Sequence, residues 1–152
     1  MAGTLMRLDP DFSEFIALLL GHEVAFLVVG GYAVAAHGHP RYTGDLDLWI
    51  LVDRDNADKL IDALKAFGFA SLGLSADDFL VDDQVVQLGR EPIRIDILTG
   101  LDGVRFDDCA SRSVKVEIDG MSVPFISRED LLANKRASGR AQDLADIEAL
   151  DT

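Results

Sequence analysis

The spacing of apolar residues divides the chain into alternating helical and extended segments. Phe12, Phe15, Ile16 and Leu19 recur with a helical period behind Asp9 or Asp11 as cap, which predicts a helix through about Leu20 that Gly21 ends. A short apolar run over 25–29 predicts a strand. The pair Gly30-Gly31 follows as a turn, and then a helix that stops near Gly38 and Pro40. After Asp47 the run over 46–52 is almost wholly apolar, the pattern of a strand covered on both faces and central in its sheet. Over 56–67, Leu60, Ile61, Leu64 and Phe67 share one helical face, with Gly68 as the stop.

The second half carries weaker periodicity at first. Residues 71–83, interrupted by Asp77, Asp78, Asp82 and Asp83, predict a loop with one helical turn. Strands over 85–88 and 93–98 joined by Gly-Arg-Glu-Pro form a hairpin, and 114–118 with 122–125 form another around Asp119-Gly120, with a short segment over 106–111 between them. Ser127 followed by Asp130 reads as a capping box for a helix through Leu131, Leu132 and Lys135, which Gly139 interrupts. In the last segment Leu144, Ile147 and Leu150 lie on one stripe, and Arg140, Asp143 and Asp146 on another. No repeat, low-complexity tract or linker breaks the chain. The expectation is one α/β domain, a mixed twisted β-sheet flanked by helices, with a core over 24–126 and C-terminal helices over 127–150.

Composition narrows this picture. The 152 residues suffice for a single core, and 49% hydrophobic with 27% charged residues is the balance of a folded globular chain. No apolar run is long enough to cross a membrane and the N-terminus lacks a signal-peptide pattern, so no membrane association and a cytoplasmic location are expected. Cys109 is the single cysteine and forms no internal disulfide. A net charge of −13 with no basic run disfavours a large nucleic acid as partner.

The chemistry concentrates between Val28 and Ile50. Side chains alternate along a strand, so Asp45 and Asp47 share one face while Leu46 and Leu48 take the other. Like charges so close call for a cation or for hydrogen bonds, and magnesium with oxygen ligands is the ordinary compensator. Gly30 and Gly31, between an apolar strand and a helix, let backbone N–H groups approach a phosphate. Arg41 and Thr43 stand just before the acidic strand, where a guanidinium suits either a phosphate or the carboxylates. His37 and His39 flank a glycine without a third ligand at zinc-like spacing, and Cys109 has no neighbour that would activate it.

An apolar strand with Gly30-Gly31, a gap of thirteen residues and then Asp45-Leu46-Asp47-Leu48 resembles the signature of the nucleotidyltransferase superfamily, whose fold is that of the polymerase beta palm. The resemblance calls for a third carboxylate on a later strand, and Asp96, alternating with Ile95 and Ile97, matches it. It implies that Asp45 and Asp47 hold Mg²⁺, or Mn²⁺ in its place, and that Asp96 ligates a second ion or acts as base. The segment NKRASGRAQDLADIEAL further resembles the AbiEii-type toxin branch, in which a lysine and an Arg-x-Lys-Asp-x-x-Asp motif approach the nucleotide. Lys135, Arg140, Asp143 and Asp146 match this motif, while Gln142 stands where that branch has lysine. The implied activity is transfer of a nucleoside monophosphate from a nucleoside triphosphate to a hydroxyl acceptor, in a toxin restrained by an antitoxin or other protein partner. Two alternatives remain open: a small-molecule adenylyltransferase of the aminoglycoside type, and a nucleotide-binding module without catalysis.

Overall fold

The computed structural model describes residues 8–38, 44–90 and 93–150, with backbone only for Arg90 and Ile93. In chain order the elements are α1 (Pro10–Gly21), β1 (Phe26–Val29), α2 (Gly30–Ala36), β2 (Asp45–Ile50), α3 (Arg54–Phe67), β3 (Val85–Arg90), β4 (Ile93–Leu98), α4 (Phe106–Ser111), β5 (Val114–Ile118), β6 (Met121–Phe125), α5 (Arg128–Ser138) and α6 (Ala141–Leu150). Two 3₁₀ turns, Ala70–Leu72 and Ala76–Phe79, occupy the stretch expected to be a loop with one helical turn. The fold is α/β, as the pattern predicts, and none of its described helices is long and apolar enough to cross a membrane.

The six strands form one mixed sheet in the order β3-β4-β2-β1-β6-β5. β2 is central, pairing antiparallel with β1 and parallel with β4, and β1 pairs parallel with β6. Both predicted hairpins are present as β3–β4 and β5–β6. Asp119 and Gly120, both at positive φ, turn the second one, as a two-residue hairpin loop requires.

The sheet has two unlike faces. Leu46, Leu48, Ile95 and Ile97 point to one face and are fully buried. α1 touches β4 on its way past α3, and a Phe15–Phe67 ring contact of 5.1 Å ties those two helices together. On α1 the four predicted residues are all buried. On α3 the buried stripe lies slightly earlier than predicted, with Ala57, Leu60, Ala63 and Leu64 inside and Ile61 only half-buried.

Asn56 opens that stripe and is itself buried. Its amide oxygen accepts from the Ala25 N–H at 2.7 Å, and its nitrogen donates to the carbonyls of Ala25 at 3.1 Å and Leu51 at 2.9 Å. One side chain thus joins α3 to the start of β1 and the exit of β2. The other face of the sheet carries the polar row described below; beyond it Trp49 is covered by Phe106 of α4, with ring centres 5.2 Å apart.

The C-terminal helices depart from expectation. Ser127 caps α5 by accepting from the Asp130 N–H at 3.1 Å, but Arg112 takes the Asp130 carboxylate in a two-pronged contact at 2.9 and 3.1 Å. On α6 the predicted apolar stripe holds at Ile147 and Leu150 but fails at Leu144. Leu144 is 57% exposed, whereas Asp143 and Asp146 are buried together with Leu150. The cause is Lys135 on α5, itself buried, whose ammonium lies 3.3 Å from Asp143 and 3.0 Å from Asp146. A buried cation requires buried anions, and this outweighs the gain from turning one leucine inward.

Candidate active site

Antiparallel pairing of β1 with β2 brings the end of the first strand to the beginning of the second. Val29 is the register partner of Asp47, so the glycine turn and the acidic strand meet by construction. Gly30 has φ +68°, a conformation that side-chain-bearing residues rarely adopt, and a Cβ placed there would overlap the Asp47 carboxylate. Gly30 and Gly31 form the first turn of α2, where Val29 as cap makes no side-chain hydrogen bond to the helix. Both glycines are half-buried, within reach of a ligand.

Parallel pairing of β2 with β4 then completes the polar face. Asp45 is the register partner of Arg94 and Asp47 of Asp96. On the far side of β4, Gln87 of β3 is the register partner of Asp96. A row therefore crosses the sheet from Gly30 through Asp47 and Asp96 to Gln87, and the three carboxylates predicted from sequence share one face of two adjacent strands.

Charge crowding shows in the titration of this row. Burial, then the neighbouring charges of Asp96 and Asp45 and a hydrogen bond with Asp96, push Asp47 up to about 7, with Arg94 pulling the other way. Burial weighs most in this shift and the adjacent carboxylates add to it, so Asp47 keeps its proton at a pH where an ordinary carboxyl has lost it. Arg94 supplies the fixed positive charge. Its guanidinium donates to Asp96 at 3.2 and 3.3 Å and lies 3.7 Å from Asp45. Sequence reading assigned no role to Arg94, although alternation places it on the Asp96 face.

The donor set fits a hard divalent cation. Three carboxylates offer only oxygen ligands, and a cation there would relieve the crowding of Asp47 by Asp96 and Asp45. Among the described residues no three His, Cys, Asp or Glu side chains are already gathered around one point at ligand spacing.

The remaining candidates are placed elsewhere or lie outside the structure. Arg41, Thr43 and His39 fall outside the described residues. Lys135, Arg140 and Asp143 form one cluster with Asp146 between α5 and α6, in which Arg140 donates to Asp143 at 2.8 Å. Burial acts to raise Asp143, but hydrogen bonds from Arg140 and Lys135 outweigh it and hold the carboxyl below its ordinary range. Arg140 borders a hollow of about 300 Å³ with Val85, Leu98 and Gly100 at the exit of β4, not at the acidic row. His37 contacts the Ile126 carbonyl at 2.8 Å through its ring Nε2. Burial and the adjacent Asp130 push the Cys109 thiol up to about 12, which leaves it unreactive. A hollow of about 620 Å³ lies between α1 and the β5–β6 hairpin, lined by Ser13, Glu14 and Asp119. We assign the chemistry to the acidic row, where the glycine turn, the carboxylates and Arg94 converge on one face.

Comparison with known proteins agrees with the α/β fold. Residues 10–152 match the model of a family described as "Nucleotidyl transferase of unknown function (DUF2204)". Among solved structures, the lincosamide antibiotic adenylyltransferase LnuA with lincomycin bound superposes with a TM-score of 0.59 at 15% identity, covering 95% of this chain and 97% of that one. A "putative nucleotidyltransferase" from Thermotoga maritima superposes with a TM-score of 0.56 at 17% identity, covering 92% and 88%. No curated protein matches the sequence.

Proposed function

The chain belongs to this family of nucleotidyl transferases, DUF2204, and from that premise we propose that it transfers a nucleoside monophosphate from a nucleoside triphosphate to a hydroxyl group, releasing pyrophosphate. The observation that carries the reading is the row in which Asp47 touches Gly30 on one side and Asp96 on the other. Donor and acceptor groups would flank a common centre there.

Each part of the row has a task in this reaction. Asp45 and Asp47 hold Mg²⁺, or Mn²⁺, which when bound supplies charge stabilisation to the triphosphate. Gly30 and Gly31 present backbone N–H groups to the terminal phosphates, and the absent side chain at Gly30 keeps the Asp47 carboxylate beside them. Asp96 faces the acceptor side and takes the proton of the attacking hydroxyl. Arg94 orients Asp96 and Asp45 toward that centre through its contacts to both. Arg41 and Thr43, just before the acidic strand in sequence, would add contacts to the nucleotide.

A small hydroxylated molecule is the acceptor that we favour. In support, the fold resembles a lincosamide adenylyltransferase along nearly the whole length of both chains, and the net charge of −13 suits a cationic or neutral acceptor better than nucleic acid. The toxin-type reading asks Lys135, Arg140 and Asp143 to contact the nucleotide, and Lys135 is buried between Asp143 and Asp146. Its antitoxin partner belongs to that reading. A cytoplasmic site of action is part of either.

The test is calorimetric titration of the four nucleoside triphosphates, with and without Mg²⁺, into the wild type and Asp47→Asn. Magnesium-dependent binding lost in the variant supports the reading, and a screen of hydroxylated small molecules with the bound nucleotide then seeks the acceptor. Full magnesium-dependent transfer by Asp47→Asn would overturn it.

A further inference from the structure

The two outer strands of the sheet are protected unequally. β5 carries exposed Lys115 and Glu117, charged side chains of the kind that discourage a further strand from joining an edge. β3 has none until Arg90 at its last position, the sequence before it being Val-Val-Gln-Leu-Gly. Among the described residues it pairs with β4 alone, so one side of its backbone has no strand partner there. Val85 is 61% exposed on it, and Val81, just before it, is 55% exposed.

The segment leading into this edge is acidic, although Arg90 ends the strand and Arg140 lies across the hollow beside Val85. Residues 66–89 contain four aspartates and no lysine, arginine or glutamate. All four, Asp77, Asp78, Asp82 and Asp83, are exposed. Asp77 pairs with Arg54 at 2.8 Å and Asp78 accepts from the Ser75 N–H at 2.8 Å, while Asp82 and Asp83 lead directly into β3. Beside them, Val85 borders the 300 Å³ hollow formed with Leu98, Leu101 and Asn134, a recess of the size that takes one side chain.

We propose that the β3 edge is a docking site for a lysine- or arginine-rich extended segment of a partner protein, which adds a seventh strand to the six-stranded sheet. Backbone hydrogen bonds to β3 supply the affinity, Asp82 and Asp83 select basic side chains, and an apolar side chain of the segment covers Val85. A second copy of this chain is a poorer occupant, because each copy carries a net charge of −13. The added strand continues the row Asp47, Asp96, Gln87, so the partner borders the candidate active site.

The test uses synthetic heptapeptides with the full-length protein. The probes are an alternating Lys-Val peptide, its Glu-Val counterpart, and the Lys-Val peptide N-methylated along one backbone edge. Affinity is read by calorimetry and location by amide exchange and ¹⁵N shifts. The expected result is binding of the Lys-Val peptide with new protection at β3 amides, weakened about tenfold or more by N-methylation, which removes strand hydrogen bonds, and by similar factors in Asp82→Asn/Asp83→Asn and in Val85→Lys. Both variants change exposed residues and leave the core intact, as circular dichroism would verify. No binding, equal binding of the N-methylated or glutamate peptide, or protection mapped away from β3 would overturn the proposal. So would sedimentation showing that the protein alone forms dimers in which β3 amides are already protected.

Discussion

Gly30 and Asp47 share a space that a side chain on the first would close: a Cβ on Gly30 would lie inside the Asp47 carboxylate. The residue is therefore fixed twice, by its φ of +68° and by its neighbour. Gly30→Ala is expected to cost about 2–3 kcal/mol, part from the left-handed backbone and part from displacing the carboxylate. Thermal unfolding reads the first effect. Weaker magnesium-dependent nucleotide binding by the folded variant reads the second.

Asp47 sets a pH dependence of its own. Its carboxyl titrates near 7 in the folded metal-free protein against an ordinary 3.8, so the folded state holds a proton that the unfolded state releases. Its contribution to stability is full below 3.8 and is lost as pH rises through about 7. Asp47→Asn has no proton to lose. At pH 8 with chelator the variant is expected to be more stable than wild type by about 1–2 kcal/mol after allowance for partial solvent screening, with little difference at acid pH. The same variant should lose about 10²-fold or more of any transfer activity, since a group needed at the reacting centre is gone. Unfolding curves at the two pH values test the first expectation.

The cluster beneath α6 responds in the opposite direction. Burial acts to raise Asp143, the hydrogen bonds from Arg140 and Lys135 pull it lower still, and the net shift is downward from 3.8. Its stabilisation is complete above 3.8 and is lost as pH falls through the depressed folded value. Lys135→Met leaves the two carboxylates without their shared cation and should cost about 3 kcal/mol or more at neutral pH. Adding Asp146→Leu to that variant should recover part of the loss. If Lys135→Met unfolds like the wild type, the cluster contributes nothing.

Asn56 offers a test independent of the active site. Its side chain makes three hydrogen bonds to the backbone at Ala25 and Leu51. Asn56→Ala leaves those buried groups unsatisfied and is expected to cost about 2–4 kcal/mol. Chemical denaturation measures this directly, while nucleotide binding by the folded fraction should be unchanged.

Local periodicity carried much of this architecture. Asp45 and Asp47 are legible because strand alternation is a local rule, and Gly30 because it falls at the change from an extended to a helical pattern. The pairing of Asp47 with Asp96 was anticipated from family resemblance, since their register depends on strands that meet only after an intervening helix and hairpin. Arg94 escaped notice for a related reason: its value lies in touching Asp45 on the neighbouring strand. In α6 the sequence misled. Asp143 and Asp146 read as a polar stripe turned outward, and only the buried ammonium of Lys135 draws them in, leaving Leu144 exposed while Ile147 and Leu150 still meet the core.

The parallel pairing of β2 with β4 also bears on synthesis. Asp47 and its register partner Asp96 are separated by 49 positions, the difference of their residue numbers. At about 5–20 residues per second, the ribosome needs roughly 2–10 s to pass from one to the other. Throughout that interval β2 has β1 on one side and a bare edge on the other, with Leu46 and Leu48 awaiting cover. The nascent chain is then inactive and also at its most adhesive, so chaperone demand should peak before residue 98 emerges.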